Sequence, residues 1–430
     1  MSDQSPNPKT LLLKNIAQVV TLGSGPVPRR GPQMKELGIV ANGAIVARNG
    51  RIAWVGSSSD LPIPERNSGC ETIDGAGFEL VALPGLVDSH THPVFAGSRV
   101  DEYEMRAAGK TYQDIAAAGG GIHASVRRLR EASPDQLASS TERAFSEFLT
   151  HGTTTIEAKS GYGLSTEGEL KILRTLAALK SRSRLEAIPT FLGAHAIPEE
   201  YQNCRHLYVE KVIKEMIPAV AREGLAQFCD VFCDTGYFTV DEARAVLLAA
   251  REAGLGLRIH AEELGHSGGA RLAAELGARS ADHLEWIDDE DIRALRRSGT
   301  IATLLPGTTF NLGLPQYPPA RKLIEAGIPV ALATDFNPGS CYTLNLQLIL
   351  SIACSQMKMA PSEAITAATV NGAYSLGISD RLGSIEVGKE ADIVLVRVGD
   401  YREIPYFFGV NHCVVTIKRG EIVFNRLEKL

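Results

Sequence analysis

Two histidines one residue apart, His90 and His92, lie within the segment LPGLVDSHTHPVFAGSR at residues 83–99. The apolar run before them, Leu83 to Val87 with a Pro-Gly kink, reads as a short buried strand. Residues two apart on an extended backbone face the same side, so both imidazoles project together from the strand's end. Such a pair suits capture of a borderline cation: zinc, iron or nickel prefers nitrogen ligands of this kind. The plainer alternative is two surface histidines in a loop. The buried strand before them and Pro93 after them favour the metal.

More candidate groups follow other short apolar runs. Lys159-Ser160-Gly161-Tyr162 follows the run at Thr153–Ile156, His195 follows Leu185–Phe191, and Asp234 follows Phe228–Phe232. The next runs end in His260-Ala-Glu-Glu263 and in Asp282-His283, and the last in Thr334-Asp335-Phe-Asn337-Pro-Gly339-Ser340. Each is weak alone. A solitary histidine such as His195 or His283 is more often structural, and Asp335 alone could be a helix N-cap. Together they place ligand-type side chains at the same end of successive strands.

A mononuclear site needs three or four protein ligands and one open position. His90, His92, His260 and Asp335 supply them, and the bound cation would bring the pKa of water towards neutrality. Glu263, three residues past His260, is the candidate proton carrier. His283 is placed to hydrogen-bond the nucleophilic water or to polarise the scissile carbonyl. A binuclear site would call for a bridging lysine after the fourth strand, which instead ends Cys233-Asp234-Thr235-Gly236. One divalent or trivalent transition metal per chain, zinc or iron, is expected. His123, His151, His206, His266 and His412 fall in helical, loop or C-terminal positions and read as structural or exposed.

The elements that must position these groups alternate strand and helix. Helical patterns at Glu167–Leu179, Val212–Arg222, Val240–Ala253, Gly269–Leu276 and Arg321–Glu325 separate the runs. The whole predicts an α/β fold, a TIM-like (β/α)₈ barrel over residues 83–385, whose active site lies at the carboxyl ends of its strands. An open doubly wound sheet is the rival, but no Gly-x-Gly-x-x-Gly follows any strand. Residues 1–82 and 386–430 hold short β-like runs, with Asn49-Gly50 and Arg419-Gly420 at turns. They predict one small β-sandwich domain built from both chain ends.

With 44% hydrophobic and 22% charged residues in 430, the chain has the composition of an ordinary globular enzyme. A net charge of −6 without long runs leaves no basic footprint for nucleic acid or anionic membrane. No signal peptide or membrane span is apparent. Seven scattered cysteines point to reduced thiols and a cytoplasmic location. Cys229 and Cys233 read as buried strand residues, since no second pair completes a thiolate site.

The motifs PGLVDSHTH, HAEE, DH and TDFNPGS resemble the amidohydrolase superfamily of metal-dependent barrel hydrolases. The longer stretches HPVFAGSR, TYQDIAAAGGGI, EAKSGYGL, FLGAHAIPEEY, HAEEL, LPGTTFNLG and ATDFNPGS are similar to its imidazolonepropionase family. The resemblance implies hydrolytic opening of 4-imidazolone-5-propanoate to N-formimidoyl-L-glutamate, a step of histidine degradation, using zinc or iron. It implies His90, His92, His260 and Asp335 as metal ligands, and Arg99, Tyr162, His195, Glu263, Asn337, Gly339 and Ser340 as substrate contacts. It also suggests a homodimer. The residues agree with such a substrate. A propanoate tail calls for a cation, and the planar fork of Arg99 can bind a carboxylate through two parallel hydrogen bonds. A salt bridge from Arg99 to Asp101 or Glu102 is the competing reading. Tyr162 offers a phenol from a glycine-flanked loop, and Gly119–Gly121 reads as a flexible loop over the site. Two other functions compete: a deaminase of a cyclic amidine base on the same metal set, and a catalytically dead barrel serving as scaffold.

Overall fold

The computed structural model describes residues 10–62, 70–110, 114 and 118–427. Of the TYQDIAAAGGGI stretch, residues 111–113 and 115–117 lie outside the described residues.

The described residues begin with β structure: β1 (Thr10–Val20), β2 (Ile39–Arg48), β3 (Arg51–Ser57), β4 (Glu71–Asp74) and β5 (Leu80–Pro84). Leu11 and Leu13 bury in one apolar cluster and Leu12 in another, as alternation along a strand requires. The apolar residues Leu11–Leu13 and Val19–Val20 belong to the single strand β1. An irregularity between Leu13 and Ile16, with Asn15 at φ 55°, bends it without ending it. The β2–β3 turn falls on Asn49 (φ 50°) and Gly50 (φ 81°), the two left-handed positions of a type I′ hairpin.

Eight strands follow in hydrogen-bonded chain order: β6 (Leu86–Asp88), β7 (Thr153–Lys159), β8 (Glu186–Ala194), β9 (Phe228–Cys233), β10 (Gly256–Ala261), β11 (Ser280–His283), β12 (Ile301–Leu304) and β13 (Val330–Leu332). The ends of this row meet through two backbone bonds. Asp335 N–H donates to His90 O (3.0 Å) and His92 N–H donates to Phe336 O (2.8 Å). The barrel therefore closes through the segments carrying the first and last candidate ligands. Between strands, helices start at sequence-encoded caps: Ser165 for Thr166–Leu179, a Thr239–Glu242 capping box for Val240–Glu252, and Asp288 for Asp289–Ser298. No described helix is long and apolar enough to cross a membrane.

The run Leu83 to Val87 is two strands rather than one. Pro84 ends β5 and Leu86 begins β6, so the chain changes sheets at the Pro-Gly kink. Gly85 is required there, because a Cβ would overlap Thr154 Oγ1.

The chain ends in β14 (Ile393–Arg397), β15 (Cys413–Lys418) and β16 (Glu421–Asn425). These join the first strands in one mixed sheet of order β16-β15-β14-β5-β1-β2-β3, with β4 beside β1. Its main apolar cluster draws Leu13, Ile16 and Ile45 from the first part of the chain and Ile393, Val415 and Ile417 from the last. The chain groups into two compact units. One takes everything up to Asp88, Glu147–Thr155 and all from Asn345 onward; the other takes Ser89–Ser146 and Ile156–Leu344. The helices Leu346–Gln356, Pro361–Ala367 and Val370–Ser375 thus group with the terminal sheet. All seven cysteines are unbridged. Cys229 and Cys233 are buried strand residues, and burial pushes the Cys233 thiol up to about 12.

Candidate metal centre

The strand ends deliver His90, His92, His260, His283 and Asp335 to one buried cluster. The His90 ring lies 4.5 Å from that of His260, 5.3 Å from His92 and 5.5 Å from His283, between centroids. Asp335 Oδ1 is 3.4 Å from His92 Nε2 and 3.6 Å from His90 Nε2. Possible ligand atoms of His90, His92 and Asp335 all lie within 4.8 Å of one another, and so do those of His90, His260 and His283. His90 is common to both sets.

The protonation pattern suits a cation. Burial, followed by neighbouring positive groups, pulls His90 well below the ordinary histidine range; burial also lowers His92. Both rings are neutral imidazoles with a lone pair to offer. Burial opposes charge on Asp335, but its hydrogen bond with His92 and the surrounding histidines hold the carboxyl well below the usual range. Its Oδ2 also accepts the Thr308 hydroxyl at 2.6 Å. His90 Nδ1 donates to Asp282 Oδ2 at 2.7 Å, which places the ring's free lone pair on Nε2. That Nε2 is buried with no hydrogen-bond partner among the described residues. A buried acceptor left unmatched in this way is costly without a ligand. Three imidazoles and a carboxylate are donors that zinc or iron accepts, so the residues present fit the metal.

Beside the histidines stands Glu263. Its Oε2 is 3.4 Å from His283 Nε2. Burial, then the carboxylates of Glu285, Asp335 and Asp234, raises the Glu263 carboxyl well above its usual value. Burial pushes His283 down to about 3. The two glutamates of HAEE separate cleanly. Glu262 turns away and accepts backbone N–H groups of Ser267, Gly268 and Ala270. Asp234 Oδ2 receives the N–H groups of Glu263 (2.6 Å) and Leu264 (3.1 Å), fixing the loop that aims Glu263.

The expected substrate contacts divide into two kinds. Tyr162 and His195 wall the donors: the His195 ring stacks on His92, centroids 5.2 Å apart and planes 18° from parallel, and Tyr162 lies 6.0 Å from His92. His195 Nδ1 donates to Gly161 O at 3.0 Å. Asn337 instead spends its amide on its own loop. Its Nδ2 donates to Asp335 O and Ser340 Oγ, and its Oδ1 accepts from Gly339 N and Ser340 N. Arg99 forms the pair with Glu102 that competed with the tail-binding reading, yet both side chains are mostly buried. Its Nη1 is turned towards Gly339, where a Cβ would overlap it.

Sequence reasoning missed a layer behind the donor cluster. Asp230 Oδ2 faces His260 Nδ1 at 2.9 Å and Asp282 holds His90, while Glu157 and Arg258 join them in full burial. A signal was present: Asp230 in FCDVFC and Arg258 in LRIH are charges inside apolar strands.

Comparison with known proteins places this geometry. The amidohydrolase family pattern matches residues 81–423. An imidazolonepropionase of Solibacter usitatus is 51% identical over 96% of this chain and 98% of its own. That of Geobacillus kaustophilus is 48% identical over 97% and 98%. The chain belongs to the imidazolonepropionase family of amidohydrolases. It is a hydrolase of carbon–nitrogen bonds in a cyclic amide. The fold recurs far more widely than this family. Atrazine chlorohydrolase of Arthrobacter aurescens, solved with zinc, superposes with a TM-score of 0.71 at 19% identity over 96% of this chain and 95% of its own.

Proposed function

We propose that this chain opens the ring of 4-imidazolone-5-propanoate to N-formimidoyl-L-glutamate, with one zinc or iron held by His90, His92, His260 and Asp335. The observation that carries the reading is the contact between Glu263 and His283 (3.4 Å) beside that donor cluster. When bound, the cation supplies Lewis acidity and brings the pKa of water towards 7. Glu263 takes a proton from the attacking water while the water oxygen bonds to the ring carbonyl carbon and the carbonyl π pair moves onto its oxygen. Cleavage of the carbon–nitrogen bond then leaves a carboxylate and a formimidoyl group, and Glu263 returns the proton to the departing nitrogen. His283, neutral through burial, orients the reacting oxygen. Arg99 holds the propanoate through Nη1, and Tyr162 and His195 pack around the ring. The Asn337 amide shapes the loop that carries Gly339 and Ser340. Unbridged cysteines suit a reducing compartment, and we place the protein in the cytoplasm.

Incubation of the zinc- or iron-loaded protein with 4-imidazolone-5-propanoate tests the reading. N-formimidoyl-L-glutamate as the only product is expected. Release of ammonia would indicate a deaminase, and an unconsumed substrate would remove the assignment.

A further inference from the structure

The barrel interior next to the donor atoms is filled by charge rather than by apolar side chains. Glu157, Lys159, Asp230, Arg258 and Asp282 are all fully buried. Lys159 Nζ donates to Asp230 Oδ2 (2.6 Å) and Glu157 Oε1 (2.9 Å), and lies 3.6 Å from Asp282 Oδ2. Arg258 Nη2 donates to Asp282 Oδ2 (3.2 Å) and to Ser89 O (2.9 Å), the residue before His90. The same two carboxylate oxygens hold the histidines. Asp282 Oδ2 accepts His90 Nδ1 at 2.7 Å, and Asp230 Oδ2 faces His260 Nδ1 at 2.9 Å. Asp230 Oδ1 also accepts the His260 backbone N–H at 3.1 Å.

We propose that Lys159, assisted by Arg258, is a positioning residue for the metal: it clamps Asp230 and Asp282 so that His260 and His90 present their nitrogens at one fixed separation. This rests on the ligand set proposed above. Asp230 on β9 and Asp282 on β11 lie on strands separated by β10, and like charges in full burial repel. Lys159, reaching in from β7, is the ammonium that faces both. Three carboxylates against two cations leave a formal excess of one negative charge behind the histidines, which increases their strength as ligands. An ion cluster that only stabilised the barrel would not need to share its oxygens with two metal-facing rings.

The test compares zinc affinity by chelator competition in the full-length protein and its Lys159→Met variant. A weakening of about 10–100-fold is expected, the usual loss when a partner behind a ligand is removed. The visible bands of the cobalt-substituted variant should shift as ligand orientation changes, while KM with saturating metal stays at the wild-type value. Lys418→Met removes a different buried cation, paired with Asp392 at 2.6 Å in the other compact unit. It should lower the melting temperature and leave zinc affinity and the cobalt spectrum alone. If Lys159→Met fails to fold, Asp282→Asn decides by the same two readouts. Wild-type affinity and an unshifted spectrum in the deciding variant would overturn the clamp, as would an equal loss in Lys418→Met. A wild-type protein that binds no zinc, iron or cobalt would instead sink the ligand set itself.

Discussion

Glu102 grips Arg99 from two sides, Oε1 on Nε at 2.8 Å and Oε2 on Nη2 at 2.5 Å, and the remaining Nη1 faces Gly339. Most of the guanidinium fork is therefore committed within the protein, and the proposed tail contact is left to the Nη1 edge. Arg99→Ala should cost about 2–5 kcal/mol in kcat/KM, the range for leaving a buried charge without its partner. Glu102→Gln should raise KM with a smaller change in kcat, since it loosens the grip and keeps the cation. Steady-state kinetics on the imidazolone with and without its propanoate tail checks both. Equal losses on the two compounds would remove Arg99 from tail binding.

Glu263→Gln keeps the side chain's shape and removes the proton transfer proposed for it. Turnover should fall roughly 10²–10⁴-fold, the range for general acid–base catalysis, with metal content unchanged. A variant purified without metal would make Glu263 a ligand.

Elemental analysis should find one zinc or iron per chain, matching one cluster of buried imidazoles with Asp335. Stripping the metal should lower the melting temperature. A ligand at 1,000 times its Kd stabilises by about 4 kcal/mol. Two tightly bound metals, or an unchanged melting curve, would contradict this.

His266 gives a pH signature away from the centre. Burial disfavours its charge, but its hydrogen bond to Asp291 (2.9 Å) and the carboxylates of Glu262, Asp291 and Asp288 outweigh that, raising its pKa above 6.5. A raised folded-state value gives stability that is complete below the unfolded value and is lost as pH rises through the folded one. His266→Asn should melt below wild type at about pH 6, with the gap closed by about pH 9. A gap that persists unchanged would show that the ring acts through packing alone.

Most barrel strands and the donor residues that follow them were legible because each signal is local: an apolar run, then a donor at its end. The Asn49-Gly50 hairpin was legible for the same reason, since its φ angles belong to those two residues. What escaped was convergence. Nothing near Asp230 in the sequence says that Lys159 and His260 arrive at the same oxygen, because strands β7, β9 and β10 meet only after the barrel closes. The role split within HAEE was hidden likewise. It depends on Asp234, 29 residues upstream, capping the Glu263 amide. The split of Leu83–Val87 between two sheets also needed the partners of each half, as period and hydrophobicity do not change across Gly85.

Gly85 is also the whole of the link between β5 and β6: β5 stops at Pro84 and β6 starts at Leu86, four residues before His90. No slack exists there to absorb an insertion or a deletion. Because successive side chains alternate faces, gaining or losing a single codon between Leu80 and Asp88 would either slip β5 against β1 and β14 or turn His90 and His92 to the wrong side of the barrel wall. The reading frame of the metal motif is thus fixed by the sheet that precedes it, and length variation among descendants of this gene should be confined to other parts of the chain.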